Sequence, residues 1–243
     1  MLETELKLEF QICENENEGI PVIIVAAGSS TRMQGINKQF LSIGDIPVIV
    51  RSLLAFENNK NISRIILVTR NEDIYALQLL AEEYSISKLT DIVAGGDCRQ
   101  KSVLNGFSRL SENDSAVLIH DGARPFVTDK IIKDVSEALK LYPAVTCGIK
   151  LKDTVKEVSA DGKVVKTLER DSLIAVQTPQ GVWTEQYRKA LADNDLSAFT
   201  DDTSIMEKAG YEVKCVEGSY RNIKITTPED IIIAQNLLKE KDK

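Results

Sequence analysis

The chain has a single histidine among 243 residues, and its four cysteines (Cys13, Cys98, Cys147 and Cys215) lie far apart with no C-x-x-C pair. Zinc sites are built from clustered Cys and His, so this scarcity argues against one and leaves reduced, unpaired thiols as the default. No apolar run approaches the roughly 18–20 residues needed to span a bilayer, so no membrane partner is expected. The N-terminus holds Glu3, Glu5, Glu9, Glu14, Glu16 and Glu18 against Lys7, the reverse of a signal peptide, and the chain reads as cytoplasmic. A net charge of −7 with no basic tract makes nucleic acid a poor partner. An anionic ligand must therefore meet cations placed locally.

Two phosphate-binding motifs are also missing. No Gly-Lys-Ser/Thr follows Gly28 at P-loop spacing, and Ser30 and Met33 stand where a dinucleotide fingerprint needs glycine. The Gly-x-Ser-x-Gly elbow is absent, so a Ser–His–Asp relay would have to use His120. That histidine reads instead as a group that holds Asp121 or fills a strand end.

What is present centres on residues 21–40, PVIIVAAGSSTRMQGINKQF. An unbroken apolar run, Val22 to Val25, reads as a buried central strand of a parallel sheet. The small residues Ala26, Ala27, Gly28, Ser29 and Ser30 follow, and then the cations Arg32 and Lys38. Small residues just past a strand's carboxyl end let backbone N–H groups approach a phosphate, and Arg and Lys supply countercharge. A solvated strand–turn–helix corner is the bland alternative on these residues alone.

Beyond that stretch, helical patterns over 47–58, 72–84, 99–110 and 128–142 alternate with apolar runs at 64–69, 91–94 and 116–120. Such alternation argues βαβ units, hence an α/β fold with a Rossmann-like, mostly parallel sheet flanked by helices. The rhythm breaks after Lys150. Residues 153–158 and 163–168 are polar and β-prone, joined by Ser-Ala-Asp-Gly, and read as a hairpin that projects or meets a partner. A strand over 174–177, helices over 184–194 and 200–210, a strand over 211–216, a short strand or loop at 222–226 and a final helix over 227–241 complete the pattern. Residues 1–20 form an acidic N-terminal extension (edge strand, added helix or loose tail), and 21–243 a single domain with a β-arm at about 151–172.

Placed side by side, the strand ends carry Ala26–Lys38, Gly95-Gly96-Asp97, His120-Asp121-Gly122-Ala123-Arg124-Pro125, Gln177-Thr178-Pro179-Gln180 and Arg221-Asn222-Ile223-Lys224. If all lie along one edge, Arg32, Lys38, Arg124, Lys224 and Arg170 converge there. Gathered cations repel unless an anion bridges them, which points to a phosphate-rich substrate. With no activated nucleophile in view, the chemistry left is phosphoryl transfer between two bound substrates.

In order, Ala-Ala-Gly-x-x-x-Arg-Met, Lys38-Gln39-Phe40, HDGARP, KDTVKEV, Glu169-Arg170, QTPQ and NIKITTPED resemble the 2-C-methyl-D-erythritol 4-phosphate cytidylyltransferase family of isoprenoid precursor biosynthesis. The resemblance runs from Pro21 to about Leu238. It implies that CTP and methylerythritol phosphate give CDP-methylerythritol and pyrophosphate, with Mg²⁺ held mainly by the CTP phosphates and no dedicated metal residues. It implies catalytic roles for Arg32, Lys38, Arg170 and Lys224, and a cytidine site of Ala26, Ala27, Gly28, Gly96, Asp97 and Ser102. Asp121, Arg124, Thr154, Thr178 and Thr200 would surround the sugar-alcohol phosphate. The arm would make a homodimer, delivering Thr154 and Arg170 to a neighbouring subunit. The chain departs from the family pattern at Asn37, where Pro is usual, at Gly122, where Ala is usual, and at Val182, where Phe is common. Two rival readings are a ribitol-5-phosphate cytidylyltransferase of the same superfamily and a catalytically silent nucleotide-binding subunit.

Overall fold

In the computed structural model, residues 19–28, 37–192 and 199–241 are described. Arg32 and the acidic extension up to residue 18 therefore lie outside the described residues.

The apolar run expected as a central strand is β1 (Ile20–Val25), buried from Pro21 through Ile24. Side chains alternate across a strand, so a run apolar at every position needs cover on both faces. Val22 and Ile24 pack into one core, with Leu53, Phe56, Ile132 and Val135. Ile23 faces a second core, with Val103, Phe107, Tyr187 and Ile205. The same alternation runs through β4 (Ile62–Thr69), where Ile65 and Leu67 enter the first core and Ile66 and Val68 the second.

Short antiparallel strands β2 (Ser42–Ile43) and β3 (Ile46–Pro47) lie outside the main sheet. That sheet adds β5 (Leu89–Ala94), β6 (Ala116–Asp121), β7 (Ala144–Lys150), β10 (Ile174–Trp183) and β11 (Val213–Glu217), in the order β11-β7-β10-β6-β1-β4-β5. β4 and β6 run parallel to β1, β5 to β4, and β11 to β7. Only β10 runs the other way, antiparallel to both β6 and β7. Helices α1 (Val48–Glu57), α2 (Ile74–Glu83) and α4 (Asp129–Ala138) contribute to the first core. α3 (Arg99–Phe107), α5 (Thr184–Ala192) and α6 (Asp202–Lys208) cover the other face. α7 (Pro228–Lys241) closes a small third core through Ala234, against Ile43, Val48 and Ala123. Among the described residues no helix is long and apolar enough to cross a membrane.

The structure departs most from the sequence expectation in β7 and β10. Residues 144–150, AVTCGIK, have no strand in that reading because Thr146, Cys147 and Gly148 blur the apolar pattern, yet they form β7, paired between β10 and β11. The strand expected over 174–177 continues to Trp183, with its register broken between Gln177 and Gly181 around Pro179, which cannot donate to a ladder. Thr178 reaches the common edge because β10 crosses it backwards, not because a parallel strand ends there.

The hairpin is present as β8 (Lys156–Val158) and β9 (Val164–Thr167), with every residue of both strands exposed. Gly162 turns it at φ +81°, a conformation that favours glycine. Since Lys150 pairs with Ile174, the connection between β7 and β10 leaves the sheet at the edge where β1, β5 and β6 end.

α3 sits close to the sheet because Gly106 has no side chain. A Cβ there would stand 2.6 Å from Ile23 Cγ2 and 2.8 Å from Val68 Cγ2, both on stiff branched residues. Gly106→Ala is expected to destabilise the fold by about 1–3 kcal/mol, as overpacking does. The urea midpoint should fall at constant m; an unchanged midpoint would show that α3 can lift at no cost.

Candidate active site

Two walls meet at the carboxyl edge of the sheet. The first is built of residues too small to obstruct a flat ligand. Ala26 N donates to Val68 O at 2.7 Å, and Gly95 N to Thr69 O at 2.7 Å, continuing the ladders of β1 and β5 past their ends. A Cβ on Gly95 would lie 2.3 Å from the Ala27 Cβ and 2.9 Å from Ser102 Oγ, so the bare Gly95 backbone packs against both side chains. Ser102, in the first turns of α3, accepts from Gly96 N at 3.1 Å and donates to Cys98 O at 3.0 Å. Ala26, Ala27, Gly96 and Ser102 thus lie together. Gly28 is exposed, and Asp97 is exposed and pairs with Lys101 at 2.8 Å.

The second wall is a cleft of about 560 Å³ lined by Asp121, Arg124, Thr178, Thr200 and Lys224, and also by Arg99. At its centre is the Asp121 carboxylate. Lys224 Nζ lies 2.8 Å from Oδ2 and Arg124 Nε 3.6 Å from the same oxygen, while Arg99 Nε approaches Oδ1 at 3.5 Å. Burial works to raise the pKa of this carboxyl, but Lys224 first, then Arg99 and Arg124, outweigh it and hold the group well below the usual carboxylate range. The anion expected to bridge the gathered cations is therefore supplied first by the chain itself.

Lys38 reaches the same region by a local device. Asn37 caps the 3₁₀ turn Lys38–Phe40, accepting from Gln39 N at 3.2 Å, and its amide donates to Asp73 at 2.9 Å. The departure from Pro at this position is thus filled by a side chain that both starts the turn and ties it to Asp73. Lys38 Nζ then donates to Ile225 O at 2.9 Å, one residue from Lys224.

Thr154 and Arg170 are absent from the cleft lining. Both are exposed at the base of the arm, with Arg170 Nη1 donating to Lys152 O at 2.8 Å.

Arg99 is the cleft cation that sequence reasoning missed, since it reads there only as a helix start. One signal was available: a cation in a helix's first turn opposes the macrodipole, so it needs acids brought from elsewhere. Those acids are Asp121 and Asp202.

His120 is fully buried behind this wall, edge-on to Phe56. Arg124 O can only accept, so Nε2 carries the proton and donates to it at 3.3 Å. Nδ1 then accepts from the Thr178 hydroxyl at 3.1 Å, whose oxygen accepts from Asp121 N at 3.0 Å. Burial pushes its pKa from 6.5 to about 3. It is a neutral strut that fixes Thr178 and the Arg124 backbone.

A family profile described as 2-C-methyl-D-erythritol 4-phosphate cytidylyltransferase matches residues 20–240. Proteins of that name from Clostridium novyi and Bacillus cereus are 44% and 46% identical over 222 and 220 residues, in each case 89% of this chain and 95% and 96% of theirs. Among solved structures, 4-diphosphocytidyl-2C-methyl-D-erythritol synthase from Anaerococcus prevotii superposes with a TM-score of 0.80 at 34% identity, covering 92% of this chain and 97% of that one. The Thermus thermophilus cytidylyltransferase gives 0.73 at 27% identity, over 91% and 99%.

The histidine's burial has a pH consequence. Its folded pKa lies below its unfolded one, so the unfolded chain binds more protons between about 3 and 6.5, and stability falls as pH drops through that window. Between pH 7 and 5 the loss should be about 2 kcal/mol, and in His120→Gln that slope should flatten, whatever the absolute stability. With one histidine in the chain the assignment is direct. An equal slope in both proteins, read by urea unfolding at each pH, would refute it.

Proposed function

This chain belongs to the 2-C-methyl-D-erythritol 4-phosphate cytidylyltransferase family, and from that we propose how its two walls carry out the family's reaction. The enzyme joins CTP and 2-C-methyl-D-erythritol 4-phosphate in isoprenoid precursor biosynthesis. An oxygen of the sugar phosphate forms a bond to the α-phosphorus of CTP. The bond from that phosphorus to the bridging oxygen breaks, and pyrophosphate leaves with the electron pair.

The attacking oxygen belongs to a phosphate whose second pKa is near 6, so it is ionised at neutral pH and no general base is needed. The obstacle is repulsion between two anions. The observation that carries this reading is the trio Arg99, Arg124 and Lys224 around Asp121, in a cleft beside the small-residue wall.

Ala26, Ala27, Gly28, Gly96, Asp97 and Ser102 hold the cytidine, the missing side chains leaving backbone groups to read its edge. Arg32 and Lys38 stabilise the charge of the five-coordinate α-phosphate. Contact of the Lys38 ammonium with Ile225 O supports this, since it ties that charge to the residue after Lys224. Asp121, Arg124, Thr178, Thr200 and Lys224 surround the sugar phosphate, the cations taking its phosphate and Asp121 accepting from its hydroxyls. Mg²⁺ would be carried mainly by the triphosphate, as an ion that usually takes few ligands from protein. When bound it offsets charge on the departing pyrophosphate.

The arm makes a homodimer and presents Thr154 and Arg170 to the partner's cleft. Its exposed Val158, Val164 and Val165, and its exit at the edge that carries the cleft, support that reading.

Pyrophosphate release from CTP and methylerythritol phosphate, abolished by chelator, is the primary test; no release from this pair would overturn the reading. Arg32→Ala and Lys38→Ala should each lower kcat by ~10²-fold or more, as loss of a transition-state donor does. A variant within a few-fold of the parent would remove that residue from the α-phosphate. Lys38→Ala and Arg170→Ala chains, each nearly inactive alone, should on mixing recover about a quarter of the parent rate, because half the dimers then hold one intact site. No recovery after subunit exchange would place Arg170 in its own chain's site.

A further inference from the structure

We propose that Arg99 is a positioning residue for the second substrate, fixing the orientation of Asp121 and joining the nucleotide wall rigidly to the sugar-phosphate cleft. The inference rests on the reading of that cleft given above. Arg99 is the first residue of α3, and its guanidinium spans two carboxylates: Nε lies 3.5 Å from Asp121 Oδ1 and Nη2 2.7 Å from Asp202 Oδ2. Asp202 is an anchor. It is fully buried, its Oδ1 accepts from the Tyr187 hydroxyl at 2.8 Å, and its backbone N donates to Gln180 Oε1 at 3.0 Å.

The charges therefore alternate along one line, Asp202, Arg99, Asp121, Lys224. Lys224 and Arg124 take one oxygen of Asp121 and Arg99 the other, so the carboxylate plane is held from both ends. Without Arg99, Asp121 could turn wholly towards Lys224 and Arg124 and mask the charge that a phosphate needs. Three residues along the same helix, Ser102 holds Gly96 N in the nucleotide wall. One helix turn thus sets the distance between the two substrates.

A plainer role for Arg99 is to neutralise buried Asp202, and removing it alone would leave that charge unpaired and strain the fold. The double variant Arg99→Gln/Asp202→Asn separates the two roles, because it removes both buried charges together. We expect its thermal midpoint to stay within a few degrees of the parent. Its KM for methylerythritol phosphate should rise about tenfold or more, while its Kd for CTP, measured by calorimetry, stays within about threefold. A KM within about twofold of the parent would overturn the proposal, as would equal weakening of both substrates. Should the double variant not fold, Arg99→Lys decides: it keeps a charge against Asp202 but lacks a fork that can span both carboxylates, so the same rise in KM is expected and its absence is fatal. The parent enzyme is assayed alongside. Absence of turnover there defeats the cytidylyltransferase reading itself, whereas parent turnover with unshifted variants defeats only the role of Arg99.

Discussion

The structure depends on one buried carboxylate. Asp121 ends β6, the strand beside β1, and three cations from three parts of the chain are drawn onto it. Each comes from a different structural setting: Arg99 from the start of a helix, Arg124 from the turn after β6, Lys224 from a segment without regular structure. Such cations repel one another, and a chain with net charge −7 has no general reason to collect them. A carboxylate inside the cluster makes the arrangement tolerable without ligand and leaves the linked set, counting Asp202, with one positive charge in excess. A second anion can then enter without the site having to gather its cations anew, which is the meaning of preorganisation here.

Much of this was legible in the chain. The unbroken Val22–Val25 run marks a doubly covered strand, and the step from apolar to small residues after it marks a ligand edge, because each follows from packing over a few residues. The hairpin was equally plain, since its alternating polar strands and Gly162 turn need no tertiary partner. What stayed hidden depends on distant contacts. β7 carries Thr146, Cys147 and Gly148 because its neighbours are β10 and β11, and Cys147 Sγ meets Pro179 O at 3.4 Å. The pattern of residues 144–150 alone does not report that environment. Arg99 was read as a helix start, and nothing in the local sequence says that Asp202, 103 positions later, will sit against it.

Identity and mechanism stand on different observations. Family membership follows from similarity along nearly the whole chain. The placing of the cations is a matter of geometry, and Lys38 and Lys224 are held differently although both are lysines on the same rim. Lys224 is spent partly on Asp121, and its reach is set by that pair. Lys38 is aimed by Asn37 and the short turn after it, and its ammonium donates to the carbonyl of Ile225, the residue after Lys224.

The single reversed strand links these parts. In a wholly parallel sheet the chain must cross from the carboxyl edge back to the amino edge between strands, and a crossover helix would follow Lys150. Because β10 is antiparallel to β7, the chain can return directly, and the connection has no need to leave the catalytic edge. That connection is the hairpin. The reversal also brings Ile174 and Val176 to the cleft before Thr178 meets Asp121, so one strand lines the site and carries the arm's base beside it. Strand direction is thus the topological reason that the hairpin and the cleft share one edge of this fold.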